Sequence, residues 1–318
     1  ALPNPSGVSF VCTVYNKERY LESVLAALRR QEGKFDREFI FVDDGSTDRS
    51  VEMVRDLTRD WPDTRVVVQQ NQGPSGSTNA GCRLARLRWI KLVGSDDLLA
   101  PFATELLLSR AADTGVDAIY SHQRFYQRPE EIVFDRDGAW RAAPDVVDDA
   151  LAFVVRHNLS GTSGTLFSKQ AFDAVGGCDG RVFAEDFSLC LRIAHRYDIA
   201  LLDAVTCFGP GDEPGRIMTG RKHQLLHDYN AALYWFLKDH PELPVELQRL
   251  AFRRAAGRAW KWARREEGRG PDSRFFWLNA WSYAPLGCDF VRVVGQTMDA
   301  FALSRPIRPG YGLAMPGR

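Results

Sequence analysis

Two adjacent acidic residues, Asp96 and Asp97, interrupt an apolar stretch that reads KLVGSDDLLA from Lys91 to Ala100. Neighbouring carboxylates repel each other, and each loses hydration when it is buried. A divalent cation between such a pair and a diphosphate offsets both effects, because Mg²⁺ and Mn²⁺ prefer carboxylate and phosphate oxygens. The pair therefore predicts a site for Mn²⁺ or Mg²⁺, where one carboxylate reaches the metal and the other accepts hydrogen bonds from ribose hydroxyls.

A second acidic pair, Asp43 and Asp44, ends another apolar stretch and precedes Gly45. Either carboxylate can accept a hydrogen bond from the N–H of a uracil-like base. The chain lacks a Gly-x-Gly-x-x-Gly turn after its first predicted strand and has no Gly-x-x-x-x-Gly-Lys loop, which argues against dinucleotide binding and an ordinary NTPase. Gly45 stands where the Asp-x-Asp-x-Thr phosphatases need their second Asp, so that class is excluded.

Alternating strands and helices must position these acids. The β-branched run Val8 to Asn16 predicts a strand buried on both faces, and the apolar residues from Leu21 to Leu28 follow at helical spacing. The alternation continues with predicted strands at 37–44, 64–70 and 88–93 and helices between them. This order predicts an α/β fold with a parallel sheet and right-handed crossovers.

Polar residues follow each of the four predicted strands. Ligands bind at the carboxyl ends of the strands in such sheets, so four loops bring these residues to one rim. Asp, Asn and Gly are also ordinary turn residues, but their recurrence after all four strands favours a ligand site. The residues are Thr13, Tyr15 and Asn16, then Asp43, Asp44 and Gly45, then Asn71, Gln72 and Gly73, and finally Ser95, Asp96 and Asp97.

Five segments in this order resemble the inverting nucleotide-sugar glycosyltransferases of glycosyltransferase family 2, which have the GT-A fold. They are TVYNKERYLESVL, FIFVDDGSTDRS, NQGPSGSTNAG, LVGSDDLL and VGGCDGRVFAEDFSLCLRIA. Many members have an Asp two residues before the paired acids, where this chain has Gly94. The resemblance implies a Rossmann-like, mixed but mostly parallel sheet flanked by helices. We expect a catalytic domain at 1–220, with a nucleotide-binding half at about 1–115 and an acceptor half at about 116–220, and a helical extension at 221–318.

The resemblance also implies roles for single residues. Asp97 would ligate the metal, and Asp96 would hold the ribose or the water shell of the metal. The base and ribose pocket would be lined by Thr13, Tyr15, Asp43 and Asp44, and Asn16, Asn71 and Gly73 complete the predicted nucleotide-sugar site.

The Glu-Asp motif of the family falls on Glu185 and Asp186, which makes Asp186 the predicted general base. Displacement at an anomeric carbon needs the acceptor hydroxyl to lose its proton as it attacks, and a carboxylate can accept that proton. Acids in the first turn of an amphipathic helix also complement the helix dipole, which is the structural alternative. Gly176 and Gly177 precede the motif at the family's spacing and favour catalysis. Glu185 is a candidate contact to the acceptor or diphosphate.

The segment Cys207 to His223 is rich in Gly and Pro and long for a simple connection. It is a candidate lid over the active site. Arg216, Arg221 and His223 in this segment are candidate contacts to the acceptor or diphosphate. A solvated basic helix start explains the same residues, and this alternative stays open.

The end of the chain is basic and aromatic. Residues 241–318 contain 13 Lys/Arg and 7 Asp/Glu, a net charge of +6, whereas residues 1–240 contain 28 and 34, a net charge of −6. One predicted helix has a basic stripe (Arg254, Arg258, Lys261 and Arg265) and an apolar stripe (Phe252, Ala255, Ala259 and Trp262). Such a helix either docks its apolar stripe on the catalytic domain with its charges in water, or contacts an anionic membrane. No nucleic-acid motif is present, so nucleic acid is not an expected partner.

These features predict a metal-dependent inverting glycosyltransferase in cell-surface polysaccharide or glycoconjugate synthesis. It would move a sugar from a nucleotide diphosphate, with UDP favoured, to a hydroxyl of a glycan or lipid-linked glycan. The alternative is an inactive nucleotide-sugar-binding module. Six scattered cysteines favour free thiols, and no apolar run approaches the roughly 20 residues of a membrane helix. We therefore expect a cytoplasmic protein, with peripheral contact to the cytoplasmic membrane face as an open question.

Overall fold

The computed structural model describes residues 7–211, 221–285, 287–303 and 306–308. The described residues are divided between two compact units, whose bounds along the chain are as follows. The first comprises Ala1–Ala150, Gly161–Cys178 and Arg192–Glu213, and the second comprises Leu151–Ser160, Asp179–Leu191 and Pro214–Arg318. Each unit therefore draws on three separate segments of the chain. The second includes two segments that the sequence did not assign to the helical extension, and the predicted domain boundary near 220 stays a prediction.

A mixed sheet forms the centre of the first unit. Its strands are β1 (Val8–Val14), β2 (Arg37–Asp43), β3 (Thr64–Val68), β4 (Trp89–Gly94), β5 (Leu98–Leu99), β6 (Ala118–Tyr126), β7 (Pro144–Val146), β8 (Thr165–Ser168) and β9 (Ile199–Pro210). Their order is β3-β2-β1-β4-β8-β6-β9-β5, and β7 also pairs with β9. Strands β1 to β4, β6 and β9 run in one direction, whereas β5, β7 and β8 run in the other. The predicted mixed, mostly parallel sheet is confirmed.

Helices flank this sheet. They are α1 (Glu18–Arg29), α2 (Ser50–Leu57), α3 (Gly73–Leu84), α4 (Ala103–Thr114), α5 (Arg136–Arg141), α6 (Ala150–His157), α7 (Lys169–Val175) and α8 (Glu185–Ala194), of which α6 and α8 extend into the second unit. Of these, α1, α2, α3 and α8 coincide with helices that the sequence predicts. The predicted apolar face of α1 is buried from Leu21 to Leu28. All six cysteines are free, as the sequence predicts.

Four further helices dominate the second unit. They are α9 (Lys222–Asp239), α10 (Val245–Glu266), α11 (Arg274–Trp281) and α12 (Phe290–Met298), followed by a 3-10 turn at Asp299–Phe301. The apolar stripe of α10 packs inside this unit, where the Phe252 ring lies 6.1 Å from that of Trp281 and 6.4 Å from that of Phe290. Among the helices of the described residues, none has the length and apolarity needed to cross a bilayer.

Arg258 corrects one expectation about α10. The sequence suggested a basic stripe in water, but Arg258 is buried, with only 9% of its surface exposed. Lys261 and Arg265 are exposed, as expected. Position 258 therefore belongs to the packed side of the helix although its residue type is that of a surface position.

Candidate active site

The carboxyl ends of β1, β2 and β4 lie side by side in the first unit. Thr13 is paired in register with Val42 of β2 on one side and with Gly94 of β4 on the other, and Asp43 pairs with Val68 of β3. The loops that follow these strands therefore meet at one rim, as the alternation of strands and helices predicts. Thr13 and Tyr15 are half-buried at the end of β1.

Asp43 has one engaged and one unpaired carboxylate oxygen. Its Oδ1 accepts hydrogen bonds from the backbone N–H groups of Gly45 (3.1 Å) and Ser46 (2.9 Å). Its Oδ2 is buried and has no hydrogen-bond partner within the part of the chain that the structure describes. A buried acceptor without a donor is costly, so this oxygen is suited to accept a hydrogen bond from a ligand.

Asp44 differs from its neighbour because the protein itself occupies both of its oxygens. Oδ1 accepts from Gln69 Nε2 (2.7 Å) and from the N–H of Gln72 (2.8 Å), and Oδ2 accepts from the N–H of Gly73 (2.8 Å). Burial raises the pKa of Asp44, and these donors oppose that effect. Asn71 donates through Nδ2 to the carbonyl oxygen of Asp44 (2.9 Å). Asp44, Asn71 and Gly73 thus form a closed network that holds the start of α3 against the end of β2.

Asn16 also forms bonds within the protein. Its backbone has a φ of 52°, and its Oδ1 accepts from the N–H of Thr47 (2.8 Å). Its own N–H donates to Ser46 Oγ (2.9 Å). Asn16, Ser46 and Thr47 are of residue types that often cap helices, but the N-cap residues of α1 and α2 are Lys17 and Arg49. The three residues instead join the loop after β1 to the loop after β2.

Asp96 forms an ion pair with Lys17, and both side chains are largely buried. The backbone N–H of Lys17 donates to Ser50 Oγ (2.8 Å), which fixes the start of α1. Sequence reasoning did not select Lys17, although it lies in the first family-like segment between Asn16 and Glu18. Its position directly after Asn16, in the polar loop that follows β1, was the feature of the sequence that could have identified it.

Asp97 is buried, and both of its oxygens accept hydrogen bonds from neutral side chains. Gln123 Nε2 donates to Oδ1 (2.7 Å), and Ser163 Oγ donates to Oδ2 (2.6 Å). A Cβ at Gly94 would lie 2.5 Å from Oδ2, and a Cβ at Gly209 would lie 2.6 Å from Oδ1. The departure from the family pattern at position 94 thus gives the Asp97 side chain the room it occupies.

Lys91 supports the same network from inside the sheet. It is fully buried, and its Nζ donates to the carbonyl oxygens of Ser163 and Thr165 (3.2 Å to the latter). Ser163 Oγ in turn accepts from the N–H of Gly94 (2.8 Å). Burial lowers the pKa of Lys91 to about 8. None of Lys91, Ser163 and Gln123 was assigned to the site from the sequence. Gln123 and Ser163 lie 26 and 66 positions from Asp97 along the chain, and Lys91 precedes the acids within an apolar strand.

The donor set suits a hard divalent cation. The rim offers the carboxylate oxygens of four aspartates. Within the described residues, no three of these aspartates have ligand atoms that all lie within 4.8 Å of one another. Mg²⁺ and Mn²⁺ commonly take only one or two protein carboxylates and complete their shell with phosphate oxygens and water. The residues therefore fit a metal that binds together with a diphosphate.

Two of the family-like segments are joined by the side chain of Asn79. Its Nδ2 donates to the carbonyl oxygen of Cys178 (2.9 Å), and its Oδ1 accepts from the N–H of Cys178 (2.8 Å). Gly177 has a φ of 76°, and a Cβ there would clash with Asn79 Oδ1 and the Phe172 ring. The second glycine of the Gly-Gly-Cys segment is therefore required by this close approach.

Glu185 and Asp186 belong to the second unit, at the first turn of α8. Both are half-buried, and Asp186 Oδ1 accepts from the N–H of Phe187 (2.7 Å). The Phe187 ring packs edge-on against Tyr229, with ring centroids 5.1 Å apart. Burial raises the pKa of Tyr229, and the negative charge of Asp186 adds to that effect. Tyr229 is thus a neighbour of the predicted base that sequence reasoning missed.

The remaining predicted contacts lie near the start of α9. Arg221 is its half-buried N-cap residue, and His223 is buried, with its ring 6.4 Å from that of Trp262. Arg216 and most of the predicted lid lie outside the described residues. The roles of these three residues stay predictions.

Comparisons with known proteins give consistent results. Residues 9–170, just over half of the chain, match the family model described as Glycosyl transferase family 2. Over 118 residues the chain is 33% identical to the succinoglycan biosynthesis protein ExoO of Rhizobium meliloti. This alignment covers 36% of this chain and 32% of that protein. The matches span about a third of the length of the first curated relatives.

Solved structures resemble the chain over nearly its whole length. TarS residues 1–349 of S. aureus, crystallised with UDP-GlcNAc, align with a TM-score of 0.65 and 16% identity over 92% of this chain and 83% of that chain. The mannosyltransferase PcManGT of Pyrobaculum calidifontis, in complex with GDP-Man and Mn²⁺, aligns with a TM-score of 0.56 and 18% identity. The alignment covers 94% of this chain and 86% of that chain. At these identities the likeness concerns the fold, and it confirms the predicted GT-A architecture.

Proposed function

The chain belongs to glycosyl transferase family 2, and on that premise we propose that it is an inverting enzyme that moves a sugar from UDP to a hydroxyl of a glycan or lipid-linked glycan. Its similarity to a succinoglycan biosynthesis protein supports a place in polysaccharide synthesis. Confirmation of the family leaves the donor, the metal and the acceptor as proposals.

The observation that carries the choice of base is the unpaired Oδ2 of Asp43. The N–H of a uracil ring supplies the donor that this buried oxygen lacks. Asp44 is less suited to the role, since the protein already fills both of its oxygens. We therefore assign base recognition to Asp43 and a structural role to Asp44, with Thr13 and Tyr15 beside them for the base and ribose.

Asp96 and Lys17 are the proposed groups for the diphosphate and its metal. Asp96 is the better metal ligand of the acidic pair, because both oxygens of Asp97 accept hydrogen bonds from Gln123 and Ser163. Asp97 would then orient the loop that presents Asp96. Mg²⁺ or Mn²⁺, when bound, would neutralise negative charge on the leaving diphosphate. The Lys17 ammonium beside Asp96 adds a positive charge at the same place.

Asp186 is the proposed general base. As the acceptor oxygen forms its bond to the anomeric carbon, the bond from that carbon to the diphosphate breaks and the hydroxyl proton moves to a carboxylate oxygen of Asp186. One such displacement inverts the anomeric configuration. Its half-buried position at the first turn of α8, next to Phe187 and near Tyr229, supports this role.

Asp186→Asn separates an enzyme from an inactive binding module. We expect this variant to bind UDP as the wild type does and to lose sugar transfer, because the amide cannot accept the proton. The wild type and the variant are compared by calorimetric titration of UDP and by release of UDP from a UDP-sugar with acceptor. Near-normal turnover by the variant would refute the assignment of the base.

A melting experiment tests the donor and the metal. The protein is heated with UDP, GDP, dTDP or CMP, each with Mn²⁺, Mg²⁺ or EDTA. A ligand at 100 times its dissociation constant adds about 2.7 kcal/mol to the free energy of unfolding. We expect the largest rise in melting temperature with UDP and metal, and loss of most of it in EDTA. An equal rise with all nucleotides would contradict base recognition, and an equal rise in EDTA would contradict the metal.

We also propose a peripheral membrane contact through an aromatic surface at α11, defined as Trp277, Trp281 and Tyr283. Trp277 is 62% exposed and Tyr283 is 63% exposed, and the Arg253 guanidinium lies over the Tyr283 ring. Amphipathic rings beside cationic side chains are suited to the headgroup region of an anionic bilayer. Lipid-linked acceptors and a cytoplasmic location at the membrane face would be consistent with this surface.

A further inference from the structure

One side of α10 carries buried nitrogen donors that have no acceptor. Arg254 Nε, Arg258 Nη2 and Trp262 Nε1 are buried and without a hydrogen-bond partner among the described residues. They occupy positions i, i+4 and i+8 and therefore share one side of the helix over two turns. Buried N–H groups are normally satisfied, so three of them in one row indicate a missing oxygen-rich partner.

Arg258 is the central residue of the row, and it is buried, as Trp262 is, whereas the Arg254 residue is half-buried as a whole. Its Nε donates to Asn230 Oδ1 (2.7 Å) and its Nη1 donates to Asn158 Oδ1 (2.5 Å). Both partners are neutral amides, and within the described part of the chain no carboxylate forms an ion pair with Arg258. Burial lowers the pKa of Arg258 to about 9, and the positive charge of Arg254 contributes. An arginine left buried without an opposing charge is costly, which favours an anionic ligand.

This row of donors on α10 is connected to the neighbours of Asp186, the proposed base, within the second unit. The Arg258 guanidinium is 5.8 Å from the centroid of the Tyr229 ring, and Tyr229 in turn packs against Phe187, the residue after Asp186. The hydroxyl of Tyr229 lies 3.4 Å from Ser160 Oγ. The residues assigned to the nucleotide all belong to the first unit. The unpaired donors are therefore associated with the acceptor side of the reaction.

We propose that Arg254, Arg258 and Trp262 bind a phosphoryl group carried by the acceptor. This inference rests on the proposed function and specifies its acceptor as a phosphate-bearing glycan or lipid. A guanidinium matches phosphate oxygens with two parallel hydrogen bonds, and a phosphoryl group has enough oxygens to satisfy further N–H groups of the row. The incoming oxygen replaces the amide oxygen of Asn158 at Arg258 Nη1. Asn158 follows α6 with a φ of 52°, and only a single hydrogen bond holds its amide to Arg258.

The test uses inorganic phosphate as the probe and UDP to fill the donor site first. The protein is saturated with UDP and Mg²⁺ and then titrated with phosphate by calorimetry, and UDP affinity is measured separately. We expect Arg258→Gln to weaken phosphate binding roughly tenfold to a hundredfold, the range for loss of charge-assisted hydrogen bonds. Trp262→Phe, which keeps an aromatic side chain and removes the indole N–H, is expected to weaken phosphate binding several-fold. Arg264→Gln, at an exposed position of the same helix, is the charge-matched control and should bind like the wild type.

Each other outcome has a definite meaning. If Arg258→Gln weakens UDP binding and leaves phosphate binding intact, the arginine serves the donor and the proposal is wrong. If phosphate binds the wild type and all variants equally, or binds none of them, the proposal is also wrong. If Arg258→Gln does not fold, Arg258→Lys and Trp262→Phe decide the matter by the same titration. Failure of the wild type to bind UDP would overturn the proposed function instead. The separate titration with UDP alone shows this, whatever the result with phosphate.

Discussion

Asp43 and Asp44 have the same side chain at adjacent positions, yet their surroundings give them different tasks. We predict that Asp43→Asn weakens UDP binding at least tenfold with little effect on melting temperature, because its Oδ1 keeps both backbone donors. Asp44→Asn should lower the melting temperature by several degrees, since an amide nitrogen would face an N–H donor. UDP titration and thermal melting of both variants check this. A reversed pattern would exchange the two roles.

Sequence alone left these two residues equivalent. The partners that distinguish them come from Gln69, Gln72 and Gly73, which are 25 to 29 positions away. The same holds for Asp97, whose donors Gln123 and Ser163 are 26 and 66 positions away. Residue type and local spacing predicted which carboxylates reach the rim. They did not predict which oxygens stay unpaired, because that depends on distant segments.

The buried lysine makes a prediction about pH. Lys91 has an ordinary pKa of 10.5 and a pKa of about 8 in the folded protein, because it is buried. Between these values the unfolded chain binds more protons than the folded chain, so the contribution of Lys91 to the free energy of unfolding rises with pH. We predict that the wild type gains stability relative to Lys91→Met as the pH rises from 8 to 10.

Denaturant unfolding at several pH values measures this difference. Lys34→Met removes an exposed lysine and is the control, since it should follow the wild type. A constant difference between the wild type and Lys91→Met across this range would show that Lys91 has the same proton affinity in both states.

At the scale of elements, α10 shows both what periodicity predicts and where it fails. The spacing of Phe252, Ala255, Ala259 and Trp262 predicted the buried stripe correctly. The same reasoning assigned Arg258 to solvent and offered the catalytic domain as the partner of the apolar stripe. Arg258 is buried beside Asn230 of α9 instead, and α11 and α12 contribute to covering the apolar stripe. Helical periodicity identifies the direction of a side chain but not the element that lies opposite it.

A glycine inside the same helix offers a stability test. A Cβ added at Gly257 would meet only Asn279 Oδ1, at 3.6 Å, so it fits without displacement. We predict that Gly257→Ala raises the free energy of unfolding by about 0.5–1 kcal/mol, because alanine loses less backbone entropy in a helix. Gly295→Ala in α12 is the matched control, since its Cβ would lie 3.2 Å from the Tyr234 ring. Denaturant unfolding should rank Gly257→Ala above both the wild type and Gly295→Ala.

At the scale of the whole molecule, the aromatic surface at α11 makes a prediction about location. We expect the protein to co-float with anionic vesicles at low salt and to dissociate as salt screens the basic residues. The double variant Trp277→Ala with Tyr283→Ala should reduce the bound fraction at least threefold. Phe125→Ala removes a 63% exposed ring from the first unit and should bind like the wild type. Equal flotation of all three proteins would remove this surface from consideration.

The segments of the two units alternate along the chain, and this alternation sets the order in which the two units can be completed during synthesis. Asn158 and its partner Arg258 are 100 positions apart, and both belong to the second unit. A ribosome adds about 5–20 residues per second, so the first partner waits about 5–20 s for the second. The segments that carry Asp43 and Asp96 have both been made before that interval begins. A chain released early would therefore carry the rim for the nucleotide without the finished surroundings of Asp186, so the ability to hold a donor precedes the ability to use it.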